Sequence, residues 1–178
     1  MPDWKIRPFK VSDMPDRHTL DETERAARER VEHLPLDFPA AHAVSSLYRA
    51  ANAARTHLTN EVLRPNDLTW TGFLVMWTLW IWRSMETRDI AESVGISKAT
   101  LTGVSRTLMA RGLVERIPGT EDRRLVNLEL TPAGHELMDR LYPQFNACES
   151  RLVADLSARQ LTTLTNTLRR VVETSENL

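Results

Sequence analysis

A chain of 178 residues with 42% hydrophobic and 26% charged side chains has the length and balance of one ordinary globular domain with a real core. Its net charge of −1 means that no global basicity marks it as a nucleic-acid binder, and its single cysteine, Cys148, excludes an intramolecular disulfide and fits a reducing, cytoplasmic setting. The longest apolar run, Phe73 to Trp82 interrupted by Thr78, is about half of what a membrane span needs, and Asp3, Lys5 and Arg7 with no apolar stretch behind them show no secretory signal.

Residues 1–18, with Pro2, Pro8 and Pro15 among charges, read as a loose arm. Thr19 and Glu22 form a capping box that opens a short helix to about His33, with Leu20, Ala27, Val31 and Leu34 on one side. Pro35 and Pro39 end it. From Pro39 to Leu63, the apolar residues Val44, Leu47, Tyr48, Ala51, Ala54, Leu58 and Val62 recur at helical steps until Pro65-Asn66-Asp67 breaks the pattern. Thr69 then caps a helix carrying Phe73, Leu74, Trp77, Trp80 and Ile81, apolar on most sides and so expected to be central.

The next elements are short and closely spaced. A helix from Thr87 to Val94 ends at Gly95. Ser97 caps a longer one to about Arg111, which Gly112 ends in the left-handed conformation. Val114 to Ile117 is a strand candidate, Pro118 to Asp122 a turn, and Leu125 to Leu130 a half-buried strand, with Val126, Leu128 and Leu130 alternating with polar residues. Thr131-Pro132 opens a helical region that runs to about Glu173 with a break near Leu156-Ser157.

Helix, turn, helix and hairpin in this order, between Thr87 and Leu130, form the constellation that carries chemistry. In the second helix, Leu101, Val104 and Leu108 make the expected buried stripe. At 100° per residue the opposite face carries Ala99, Thr102, Gly103 and Arg106, with Ser97 and Lys98 at the amino end. Small residues let such a helix sit deep in a major groove, and Arg106 can grip guanine O6 and N7 with its two-pronged head. Ser97 and the free N–H groups of the helix start suit a phosphate. Asp122, Arg123 and Arg124 at the hairpin tip can reach the backbone or a minor groove. The window Ser97–Arg124 holds Lys98, Arg106, Arg111, Arg116, Arg123 and Arg124 against Glu115, Glu121 and Asp122, a balance of +3 that leaves −4 for the rest.

The stretches Ile90-Ala91-Glu92-Ser93-Val94-Gly95-Ile96-Ser97-Lys98-Ala99-Thr100-Leu101-Thr102 and Leu108-Met109-Ala110-Arg111-Gly112-Leu113-Val114-Glu115-Arg116 resemble the MarR family of bacterial regulators. Asp122, Arg124, Leu130, Thr131 and Gly134 meet the family's wing signature, D-x-R before a strand and L-T-x-x-G after it. The resemblance implies a mainly α fold with a small β-wing: a winged helix-turn-helix lobe over residues 67–131 and a helical dimerisation region over 38–66 and 132–178. It also implies a homodimer that represses transcription from pseudo-palindromic operators in double-stranded DNA and is often relieved by a small ligand. Residues 1–37, the arm and its extra helix, exceed the usual family pattern.

Trp70, Trp77, Trp80 and Trp82 cluster on one helix with Phe73. Either they are a large aromatic core, or Trp70, Phe73, Trp77 and Trp80 line a pocket for a small aromatic effector, as the resemblance implies for this helix. Cys148 has no cation immediately beside it in the sequence and reads as buried or idle. His18, His33, His42, His57 and His135 lack metal-ligand spacing. No nucleophile elbow, phosphate loop or dinucleotide fingerprint is present, so no catalytic residue, metal or cofactor is expected. The competing reading is a winged-helix module that binds another protein, for which the wing-tip arginines, Lys98 and Arg106 would be unnecessary.

Overall fold

The computed structural model describes residues 19–118 and 126–178. The chain divides into two compact units, 1–50 and 51–178. The first unit holds α1 (Leu20–Val31) and the start of α2 (Phe38–Leu58). The Thr19 capping box is formed, its hydroxyl accepting from the Glu22 N–H while the Glu22 carboxylate accepts from the Thr19 N–H. Two contacts join α1 to α2, Arg28 over the Phe38 ring at 5.3 Å and His42 Nδ1 3.7 Å from Glu24, and within α2 Phe38 meets His42 edge-on at 6.4 Å. The apolar side expected of α1 is only partly covered, with Ala27 exposed and Leu34 43% exposed.

The second unit contains the core. α2 passes into one π-helical turn, Thr59–Leu63, and a 3₁₀ turn, Arg64–Asn66, which Asp67 ends at φ 52°. Thr69 caps α3 (Trp70–Trp82) by accepting from the Gly72 N–H at 3.0 Å. Phe73, Val75, Met76 and Leu79 of α3 are buried, each worth roughly 1.5–3 kcal/mol of burial. They meet Leu63 and Val62 from the π turn, Ile90 and Ala91 of α4 (Thr87–Val94), Leu101 and Leu108 of α5 (Lys98–Ala110), and Met138, Leu141 and Phe145 of α6 (Pro132–Leu152) in one cluster. The expectation that α3 is central holds for this face only, since Ile81 is 46% and Trp82 67% exposed.

Three antiparallel strands, β1 (Met85–Glu86), β2 (Val114–Pro118) and β3 (Val126–Leu130), make a sheet in the order β1-β3-β2. Val114 faces Leu130, Arg116 faces Leu128 and Met85 faces Leu128 from the other side. β1 is too short to leave a period in the sequence. It forms because Arg83, at φ 66° and ψ −100°, turns the chain out of α3 and lays Met85 and Glu86 along β3.

The L-T-x-x-G signature is explained by one junction. Thr131 caps α6 by accepting from the Gly134 N–H at 3.1 Å, and its hydroxyl donates to the Gly112 carbonyl at 2.6 Å. A Cβ on Gly134 would collide with the Leu113 carbonyl oxygen, so only glycine lets α6 start this close to the chain between α5 and β2. α7 (Ala158–Glu176) follows, opened by a capping box of Ser157 and Gln160. Cys148 lies buried in α6. Among the described residues no helix is long and apolar enough to cross a membrane.

Candidate nucleic-acid interface

α4 and α5 end alike, the first before the turn into α5 and the second before β2. Gly95 takes φ 70°, and the Gly95 and Ile96 N–H groups donate back to Glu92 and Ala91 at 3.1 and 2.9 Å. Gly112 takes φ 67°, and the Gly112 and Leu113 N–H groups donate back to Met109 and Leu108 at 2.9 and 3.0 Å. Both are Schellman endings, which need the left-handed residue that glycine supplies. The Arg88–Glu92 pair at 3.0 Å, one turn apart, supports α4, and the Glu92 carboxylate raises the Arg88 pKa above its ordinary value.

Ser97 sits at the N-cap of α5 with φ −70° and ψ 153°, and its Oγ accepts from the Thr100 N–H at 3.1 Å. Lys98, Ala99, Thr102, Gly103 and Arg106 are all exposed, and a Cβ built on Gly103 meets nothing within 4 Å. The buried stripe is Leu101, Ser105 and Leu108, whereas Val104 is half-buried. The stripe centre is one position away from the expected one because a serine can be buried there: Ser105 Oγ donates to the Thr102 carbonyl at 3.2 Å and so carries no unpaired hydroxyl into the core. The exposed face is otherwise the one read from the sequence. Asp122, Arg123 and Arg124 lie outside the described residues.

One anchor of α5 left no signal in the sequence. Arg111 donates through Nη1 to the Asp67 carbonyl at 2.5 Å and through Nη2 to the Asn66 carbonyl at 3.0 Å. The C-terminal end of α5 is therefore pinned to the turn that leads into α3. Periodicity cannot reveal a bond spanning 44 residues between a side chain and a backbone carbonyl.

The aromatic residues of α3 pack onto α6. Phe73 stacks on Phe145 at 4.3 Å and Trp70 leans on both rings at 6.3 and 6.2 Å. Trp80 meets Tyr142 at 5.2 Å and donates through Nε1 to Asp139 at 3.1 Å. Phe73 is 3% exposed, whereas Trp70, Trp77 and Trp80 are half-buried against the core. Trp70 also lines a cavity of about 340 Å³ with Arg55, Thr59, Asn60, Arg64 and Thr71.

These elements and their order are shared with known proteins. The MarR family model matches residues 68–126. Over 157 residues the chain is 34% identical to the uncharacterized HTH-type transcriptional regulator YwaE of Bacillus subtilis, covering 86% of this chain and 92% of that protein. It is 26% identical to the HTH-type transcriptional repressor NicR of Pseudomonas putida, covering 80% and 92%. Among solved structures, Bordetella bronchiseptica BpsR, whose DNA binding is regulated by 6-hydroxynicotinic acid, shares the fold with a TM-score of 0.65 and 24% identity, over 72% of this chain and 91% of that one. The helix-turn-helix, the small sheet beside it and a near full-length relative at 34% identity agree, and this chain belongs to the MarR family of DNA-binding transcriptional regulators.

Proposed function

We propose that the protein is a homodimeric repressor that reads a pseudo-palindromic operator with α5 in the major groove and the β2–β3 hairpin beside it. The observation that carries this reading is the exposed face of α5. Lys98, Ala99, Thr102, Gly103 and Arg106 stand exposed on a helix whose other side is buried and whose two ends are fixed. Side chains on that face are short apart from the two cations, which lets the helix backbone approach base edges. Ser97 and the first-turn N–H groups suit a backbone phosphate, and Arg123 and Arg124, with Asp122 to hold the loop, extend the contact from the wing tip. Repression is the role named for NicR.

The apolar faces that the chain leaves open support two copies. Val44 and Tyr48 of α2 are 50% and 67% exposed, and Leu164, Leu168, Val171 and Val172 of α7 are all at least 36% exposed. Two-fold symmetry would set the two α5 helices about 34 Å apart, one turn of DNA. A small aromatic effector bound near Trp70, Phe73, Trp77 and Trp80 would act by favouring a dimer whose α5 helices are wrongly spaced.

The test is Arg106→Ala. It should weaken binding to a duplex selected by the wild-type protein from a random library by about 1–3 kcal/mol, and binding to mixed-sequence DNA much less. Unchanged binding by a folded variant moves the surface to protein recognition instead. For the effector, quenching of tryptophan fluorescence by phenolic compounds must accompany loss of a gel shift.

A further inference from the structure

α5 and the hairpin are separated by an open channel. It has a volume of about 280 Å³ and is lined by Thr87, Lys98, Leu101, Thr102, Arg116 and Val126. Arg116 stands on β2 in register with Leu128 and on the same face as Val114, the face turned to the core and to α5. The hairpin acids Glu115 and Glu129 are paired across the opposite face. Among the described residues the hairpin cation, Arg116, and its acids thus lie on opposite faces, and no carboxylate lines the channel. Arg116 and Thr87 make no side-chain hydrogen bond or ion pair with any described residue. Thr102 is already committed, donating to the Lys98 carbonyl at 2.9 Å.

Two cationic side chains and the Thr87 hydroxyl, with no carboxylate among the described lining residues, suit an anion. The setting says which anion. A protein with a helix in the major groove and a hairpin toward the neighbouring minor groove must straddle the phosphate ridge that separates them. We infer that the channel between α5 and β2 seats a DNA backbone phosphate, held by Arg116 from the sheet side, Lys98 from the helix side and the Thr87 hydroxyl from α4. This rests on the DNA-reading role proposed for α5. Arg116 becomes a third kind of contact, distinct from base reading by Arg106 and from the wing tip.

The experiment titrates wild type, Arg116→Ala, Arg116→Gln, Arg116→Lys and Arg106→Ala against two duplexes, one selected by the wild-type protein from a random library and one of mixed sequence and equal length. Each titration is repeated at several KCl concentrations, with thermal melts of every variant. The expected result is equal weakening on both duplexes for Arg116→Ala and Arg116→Gln. The slope of log affinity against log salt should flatten by about 0.9 for each phosphate no longer neutralised. Arg116→Lys, which keeps the charge, should restore the slope. Wild-type affinity and slope in Arg116→Ala and Arg116→Gln, with Arg106→Ala still impaired on the selected duplex, would overturn the channel and leave the DNA-reading role intact. Failure of Arg116→Lys to restore the slope, with early melting in all three Arg116 variants, would make Arg116 a structural residue and equally overturn it. No DNA binding by wild type would remove both readings.

Discussion

α5 and α7 start alike and end up opposite. Each opens on a serine cap, Ser97 or Ser157, and each has an apolar stripe along one side. α5 turns its stripe into the chain's own core and shows solvent a face of lysine, arginine, threonine and glycine. α7 has no buried residue at all, and Leu164, Leu168, Val171 and Val172 face outward. A helix whose apolar side is satisfied within the chain is free to offer its polar side to a charged ligand. A helix whose apolar side is left open in one copy offers that side to a partner, which supports the homodimer proposed above.

A double substitution on α7 breaks this contrast most visibly. Leu168→Asp combined with Val172→Asp puts carboxylates into the proposed interface of both copies. Dimerisation should weaken by about 4 kcal/mol or more, roughly a thousandfold. Analytical ultracentrifugation should then show monomer at micromolar concentration, with melting of the monomer unit little changed. A variant that remains dimeric places the interface off α7.

The α5 side is broken from behind. Gly134→Ala drives a Cβ against the Leu113 carbonyl, where the opposing atom is backbone and cannot swing away. It should cost about 3 kcal/mol, read as a lower midpoint in urea unfolding. A normal midpoint would mean that α6 can shift off the α5–β2 junction without penalty.

The smallest effect separates the two helices most cleanly. Ser97→Ala and Ser157→Ala each remove one N-cap and should each cost about 1 kcal/mol of stability. Only Ser97→Ala should also weaken DNA binding, because only that helix start belongs to the proposed DNA interface. Equal loss of DNA affinity in both variants would reduce the Ser97 effect to stability alone.

Much of this architecture is legible in local signals. Thr19, Thr69, Ser97 and Thr131 all cap the helices they announce, and Gly95 and Gly112 adopt the left-handed turns expected after α4 and α5. Caps, glycine turns and three- and four-residue periods act within one or two turns of chain, so the residues that make them lie side by side in the sequence. The exposed face of α5, with Arg106 and Thr102, follows from the same period.

What only the tertiary structure decided depends on residues far apart in the chain. Burial of Ser105 in place of Val104 was set by how α5 leans on its neighbours and by a carbonyl that could take the serine hydroxyl. β1 exists because β3 offers it a free edge, and two residues carry no period of their own. The bond from Arg111 to the turn before α3, the close approach of Gly134 to Leu113 and the channel between Lys98 and Arg116 each join segments brought together by the shared core. The exposure of Ile81 and Trp82 at the end of an apolar helix belongs with them, because hydrophobicity states what a side chain would gain by burial and only packing decides whether anything covers it.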